Sequence, residues 1–173
     1  MNHPLMRNNI LSKDLQMVIK LLSEKDPKLT AGPRVKEFED SWSNWLGVKH
    51  SIFLNSGSSS NLLALAWLKL KYPEGGSIVI PPFTWSSDVM SVIWMGFKPE
   101  FVDINLSTLA IDENKLHEKI DELNDIRAVF LTHAQGINGL TSKIIDLCEK
   151  HSIYLIEDVC ESHGVRLKSG QKA

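Results

Sequence analysis

Apolar positions along the chain follow two rhythms. Leu15, Val18, Ile19 and Leu22 recur at three- and four-residue spacing, which predicts a helix over residues 12–22 with one apolar face. Asp26-Pro27 and Gly32-Pro33 then bracket a loop. Pro33 suits the first position of a second helix, where its missing N–H costs nothing. That helix should turn Val35, Phe38, Trp42 and Trp45 inward and end on Gly47 as a left-handed cap. Beyond it the rhythm changes to short runs rich in Ile, Val and Phe at residues 51–54, 77–80, 100–102, 128–131 and 153–156. Such runs suit strands buried on both faces. Between them lie helix-length segments at 59–71, 86–95, 113–123 and 142–151, with Gly96 placed to end the second and Asp112 to start the third. Strands alternating with helices predict βαβ units with right-handed crossovers, and hence an α/β fold of three layers, α/β/α, around a mainly parallel sheet.

Composition narrows the function classes. The chain has 173 residues, 19 basic against 21 acidic, a net charge of −2 and 23% charged residues, which leaves no footprint for nucleic acid or an anionic membrane surface. A hydrophobic fraction of 43% is enough for a core. No apolar run approaches the roughly 18–20 residues of a spanning helix. Residues 1–9 are polar and lack a signal-peptide core, so the expected location is the cytoplasm. The two cysteines, Cys148 and Cys160, suggest no disulfide framework.

In a parallel sheet, ligands sit beyond the carboxyl ends of the strands, so the residues after each strand carry the chemistry. After the first run comes Asn55-Ser56-Gly57-Ser58-Ser59-Ser60-Asn61, small residues and hydroxyls at a helix start. Such a turn is a phosphate cradle or simply a serine-capped helix; it is neither a dinucleotide fingerprint nor a P-loop. After the second comes Pro81-Pro82-Phe83-Thr84-Trp85, whose Trp85 either stacks on a flat ligand ring or packs in the core. After the fourth comes Thr132-His133-Ala134-Gln135-Gly136, where His133 is a ligand contact or a hydrogen-bonded loop residue. After the fifth comes Glu157-Asp158-Val159-Cys160-Glu161-Ser162-His163. A carboxylate ending an apolar strand needs a partner; Asp158 either caps a local turn or holds a cationic nitrogen, and Glu157 is solvated or paired. Cys160 and His163 alone do not make a metal site, and none is expected. Together, a phosphate cradle, an aromatic plate and an acid on one sheet edge fit pyridoxal 5′-phosphate (PLP), whose protonated ring nitrogen lets it act as an electron sink.

The motifs resemble, in order, the DegT/DnrJ/StrS family of sugar aminotransferases within the type I PLP-dependent transferase fold. The resemblance runs through Leu29-Thr30-Ala31-Gly32-Pro33, Glu37-Phe38-Glu39, Leu46-Gly47-Val48, Asn55-Ser56-Gly57-Ser58, Pro82-Phe83-Thr84-Trp85, Phe101-Val102-Asp103-Ile104 and Leu155-Ile156-Glu157-Asp158. It implies an N-terminal helix and arm over 1–32 and part of the PLP-binding large domain over 33–173. Gly57 and Ser58 would bind the cofactor phosphate, Trp85 would stack on its ring and Asp158 would hold its pyridine nitrogen. The implied substrates are a nucleotide-linked keto-deoxy sugar and an amino donor, for surface-polysaccharide or deoxysugar synthesis, and the implied assembly is a homodimer.

Two positions depart from the family pattern. The third residue after the Asp, near the cofactor's phenolic oxygen, is Gln or His in typical members and Glu161 here, which is similar to the sugar 3-dehydratase branch. The family's Schiff-base lysine, or the histidine that replaces it in that branch, is expected beyond Ala173. Lys168 and Lys172 fall in a polar turn over 167–171 or just past it and are not assigned that role. The reading is therefore an aminotransferase chain without its catalytic lysine, with a PLP-dependent 3-dehydratase or an inactive truncated remnant as alternatives; a nicotinamide-binding domain lacks its glycine fingerprint. A partial large domain should also leave a bare strand edge and exposed apolar helix faces, which invite aggregation or pairing.

Overall fold

The computed structural model describes residues 9–167 together with Gly170 and Lys172. Helix α1 spans Ser12–Leu22 and α2 Pro33–Leu46, followed by α3 Gly57–Lys71, β1 Ser77–Ile80, α4 Ser86–Trp94 and β2 Lys98–Phe101. Then come α5 Glu113–Glu122, β3 Ile126–Thr132, a short 3₁₀ turn Ala134–Gly136, α6 Ser142–Lys150 and β4 Tyr154–Asp158. The strands form one parallel sheet in the order β2-β1-β3-β4.

Local chemistry sets these boundaries. Ser56 caps α3 by accepting the Ser59 N–H at 3.2 Å. Asp112 caps α5 by accepting from Asn114 and Lys115, and Thr141 caps α6 by accepting from Ile144. Gly47 ends α2 at φ 85°, a left-handed conformation that costs glycine little. Strand alternation divides the core into two layers. Ile78, Ile80, Ala128 and Phe130 meet Leu65 and Leu68 of α3 and Val92 of α4 on one face. Val79, Val129 and Leu131 meet Leu116 and Ile120 of α5 and Ile144 and Leu147 of α6 on the other. This is the expected α/β/α sandwich.

Three expectations are corrected. Residues 51–54 form no strand: the Phe53 N–H bonds the Glu39 carboxylate at 3.0 Å, and Ile52 and Phe53 stay 69% and 54% exposed. A strand needs a neighbour to complete its ladder, and among the described residues none pairs with this segment. The Val35, Phe38, Trp42 and Trp45 face of α2 is not in the core; the helix contains no buried residue. Instead Phe38 and Trp42 stack at 5.8 Å, Trp42 meets Trp45 at 4.8 Å, and Phe53 packs edge-on against Phe38 at 5.5 Å. Periodicity specifies a face but not what covers it. Finally, the strands expected at 100–102, 128–131 and 153–156 are longer or shifted, as β2, β3 and β4. The growth of β3 and β4 into Thr132 and Asp158 carries polar side chains to the carboxyl edge.

The Leu15, Val18, Ile19 and Leu22 face of α1 is more than half exposed. Among the described residues the outer edge of β4 pairs with no strand.

Candidate functional site

The carboxyl ends of β1, β3 and β4 meet at one edge, and the segments leaving them enclose a cavity of about 130 Å³ lined by Phe83, Thr84, Trp85, Thr132, Ala134, Gln135 and Glu161. Trp85 precedes α4 and is 50% exposed, so its ring walls the cavity instead of filling the core. Opposite, the Glu161 carboxylate accepts the Gln135 N–H at 2.7 Å. Gln135 has φ 57°, a left-handed conformation that costs a non-glycine residue about 1–3 kcal/mol unless neighbours hold it. Glu161 supplies that hold, tying the segment after β4 to the one after β3 across the cavity.

Beneath the cavity lies a network of buried polar groups. Asp158 ends β4 and is 8% exposed. Its Oδ2 accepts from Asn61 Nδ2 at 3.0 Å and its Oδ1 from the Cys160 N–H at 3.0 Å. Burial pushes the Asp158 carboxyl up, but the Asn61 amide and the Cys160 N–H outweigh it, and the carboxyl lies below its ordinary value. Asp88 of α4 is fully buried and accepts from the same Asn61 amide at 2.8 Å and from Thr84 Oγ1 at 2.6 Å. Burial raises the Asp88 carboxyl; the Thr84 bond opposes that, and the Asp158 charge adds to it, leaving the group above its ordinary value.

The two acids therefore make opposite contributions to stability. Asp158, depressed in the folded state, contributes stability that is present above its unfolded pKa and lost as pH falls through the folded value. Asp88, raised in the folded state, contributes stability that is present below its unfolded pKa and lost as pH rises through the folded value. Asp88→Asn removes the second dependence. Relative to the native chain, its urea midpoint should climb as pH rises from about 4 toward neutrality. Two midpoint curves that stay parallel across that range would show that Asp88 does not titrate there.

Of the residues expected to form a site, Trp85 and Glu161 line the cavity and Asp158 lies in the network below it. Gly57 and Ser58 are not in its lining; they form the first turn of α3, one turn before Asn61, with both residues exposed and their N–H groups beyond reach of any helix carbonyl. A Cβ on Gly57 would meet nothing within 4 Å, so open space lies before this helix end. His133 is a hydrogen-bonded core residue, 1% exposed. The Gly139 N–H donates to its Nδ1 at 3.2 Å, so Nε2 carries the proton and donates to Glu157 at 3.0 Å, which settles Glu157 as paired. His163 packs edge-on against Trp42, and among the described residues no cluster of three metal-ligating side chains occurs. Lys168 lies outside the described residues. Lys172 bonds the Trp45 carbonyl and covers the Trp45 ring, and among the described residues no lysine lines the cavity. Sequence reasoning gives no role to Asn61, Thr84, Asp88 or Thr132. The available signal is polar residues at strand ends and in the first turn of the next helix.

The fold is that of the type I PLP-dependent transferases: the chain superposes on Escherichia coli GDP-4-keto-6-deoxy-D-mannose 3-dehydratase with bound hydrated PLP at a TM-score of 0.88 and 29% identity, over 96% of this chain and 43% of that one. With its sequence matched over residues 8–173, the chain belongs to the DegT/DnrJ/EryC1/StrS aminotransferase family. It is 31% identical to the GDP-4-keto-6-deoxy-D-mannose 3-dehydratase of Yersinia pseudotuberculosis over 98% of its length. It is 34% identical to the UDP-4-amino-4,6-dideoxy-N-acetyl-beta-L-altrosamine transaminase of Campylobacter jejuni over 95%. The chain spans 43% of the length of each. The family contains both sugar 3-dehydratases and sugar aminotransferases that act on nucleotide sugars.

Proposed function

We propose that residues 33–173 form part of a PLP site in an enzyme that modifies a nucleotide-linked keto-deoxy sugar, and that its reaction is removal of the C3 hydroxyl. The observation that carries the cofactor assignment is the buried Asp158 carboxyl, tied at both oxygens by donors, beneath a cavity walled by a half-exposed Trp85. The residues fit the group. An anionic carboxylate suits a protonated pyridine nitrogen, the Trp85 face suits its ring, and the N–H groups of Gly57 and Ser58 at the open end of α3 suit its phosphate. When bound, the cofactor supplies an electron sink for negative charge on the attached carbon. Asp158 keeps the ring nitrogen protonated, Trp85 covers one ring face and excludes water, and Glu161 holds the Gln135 turn that forms the opposite wall.

The 3-dehydratase reading rests on Glu161 and gains support from the Yersinia and E. coli relatives. Amino transfer is the second reading, supported by the Campylobacter transaminase. Mass spectrometry of GDP-4-keto-6-deoxymannose incubated with the protein, PLP and glutamate separates them. Dehydration leaves a sugar short of one oxygen, whereas transamination exchanges the keto oxygen for an amino group. Cofactor binding with neither product would favour an inactive remnant. Trp85→Ala should weaken PLP binding about tenfold, as loss of an aromatic face over the ring requires, measured by equilibrium dialysis. Unchanged affinity would remove Trp85 from the site.

A further inference from the structure

Asp88 is a fully buried titratable group that the reading above leaves without a role. Its Oδ1 accepts from Asn61 Nδ2 at 2.8 Å and Ser87 Oγ at 3.3 Å, and its Oδ2 lies 2.6 Å from Thr84 Oγ1 and 3.1 Å from Thr132 Oγ1. The same Asn61 nitrogen reaches Asp158 Oδ2 at 3.0 Å. A primary amide has two N–H groups, so one goes to each carboxyl and the amide's orientation is fixed. Asp158 is thereby held by Asn61 on one oxygen and by the Cys160 N–H on the other. Two carboxyls bridged by one amide and shut off from water repel if both ionise. The Thr84 and Thr132 hydroxyls, 2.6 Å from each other, accept as well as donate, so the Asp88 side of the bridge has acceptors for a proton. On the Asp158 side the partners are the Asn61 amide and the Cys160 N–H, both donors, which suit a carboxylate.

We infer that Asp88 is a positioning residue: through Asn61 it orients Asp158 and leaves the single negative charge of the pair on Asp158, where the cofactor's pyridine nitrogen would meet it. This rests on the assignment of Asp158 to that nitrogen. The arrangement makes a distinctive demand on substitutions. Asparagine at position 88 copies the protonated acid: its carbonyl accepts from Asn61 and Ser87, and its amide donates to the threonine hydroxyls. Alanine at the same position leaves Asn61 without one of its two acceptors and free to turn.

The test uses the 173-residue protein with pyridoxamine 5′-phosphate, a probe that needs no lysine to bind. The first readout is ligand-free: proton exchange of the Asn61 side-chain amide by NMR should be slow in the native chain and in Asp88→Asn, and fast in Asp88→Ala. The second is the nitrogen shift of the ¹⁵N-labelled pyridine ring together with its affinity. Asp88→Ala should lose the protonated-nitrogen signal and bind about tenfold more weakly, while Asp88→Asn keeps both. Should Asp88→Ala not fold, Asn61→Ser removes the bridge with both acids retained and should reproduce its behaviour. Loss of either signal in Asp88→Asn overturns the inference. So does a change of the Asn61 amide in Asp88→Ala with no change at the ring nitrogen. An unchanged ring nitrogen in Asp158→Asn, or no probe binding by the native chain, instead overturns the assignment of Asp158 and takes the inference with it, whatever the Asn61 amide shows.

Discussion

Replacing Phe130 by alanine is expected to remove about 3–5 kcal/mol of folding stability, the cost of truncating a fully enclosed aromatic side chain. Phe130 lies in β3, which is paired on both sides by β1 and β4, and it has no solvent exposure. Its ring fills one face of the sheet between Ile78 and Ile80 of β1 and the helices α3 and α4. The adjacent inward position on β3 is only Ala128, whose side chain is too small to fill the void. Packed strands and helices collapse only partly around a cavity, and the lost contacts add to the lost transfer energy. A typical domain has about 5–15 kcal/mol in total, so the variant should lose a large share of its stability. Urea unfolding followed by circular dichroism measures this, with Phe101→Ala as the control. Phe101 is half exposed on the edge strand β2, and its removal should change stability by no more than about 0.5 kcal/mol. Equal losses for the two variants would mean that this face of the sheet is not the packed layer described.

The contrast between these phenylalanines also shows what a single sequence carries. The run at 77–80 is observed unchanged as β1, because four consecutive residues, three of them β-branched and apolar, between a Gly-Gly turn and two prolines admit little else. Helices are legible where a cap and a periodic face agree, as with Asp112 before α5 and Gly47 after α2. Residues 51–54 show the limit: Ile52, Phe53 and Leu54 have the composition of a strand, but strand formation depends on a ladder partner that local pattern cannot supply. Trp42 and Trp45 have the spacing of core residues and instead pack on one another, for the same reason.

The site is legible to the extent that it sits at strand ends. Trp85, Asp158 and Glu161 all stand at or just after the end of an apolar run, where a parallel sheet presents its ligands. Asp88 does not, and an acidic residue in a helix's first turn already has a local explanation in the helix dipole. Its actual partners, Asn61 and Thr132, come from α3 and β3 and meet it only after the sheet has formed. Local rules identify residues that project from an edge and overlook those that the fold gathers beneath it.

Asp158→Asn is the substitution with the largest expected effect on the site. If Asp158 holds the pyridine nitrogen, loss of its charge removes a charge-assisted hydrogen bond, which at about 1.5–3 kcal/mol corresponds to a roughly 10- to 100-fold loss of affinity for pyridoxamine 5′-phosphate. The substitution also turns an acceptor into a donor at one of two positions. Asparagine can accept from the Cys160 N–H, but its amide nitrogen then faces the Asn61 nitrogen, donor against donor. Asn61 must rotate away, and Asp88 loses the same bridge. Stability and binding should consequently separate with pH. With its charged neighbour gone, Asp88 ionises more readily, since the Asp158 charge is one of the causes that raise it. The stability lost on raising pH through the Asp88 titration should therefore shift to lower pH in the variant. Cofactor affinity, by contrast, should be lost across the whole range in which native Asp158 is ionised. Paired measurements of affinity and urea midpoint across pH test both halves. An asparagine variant that binds the probe as tightly as the native chain at neutral pH would place the pyridine nitrogen elsewhere, whatever its stability.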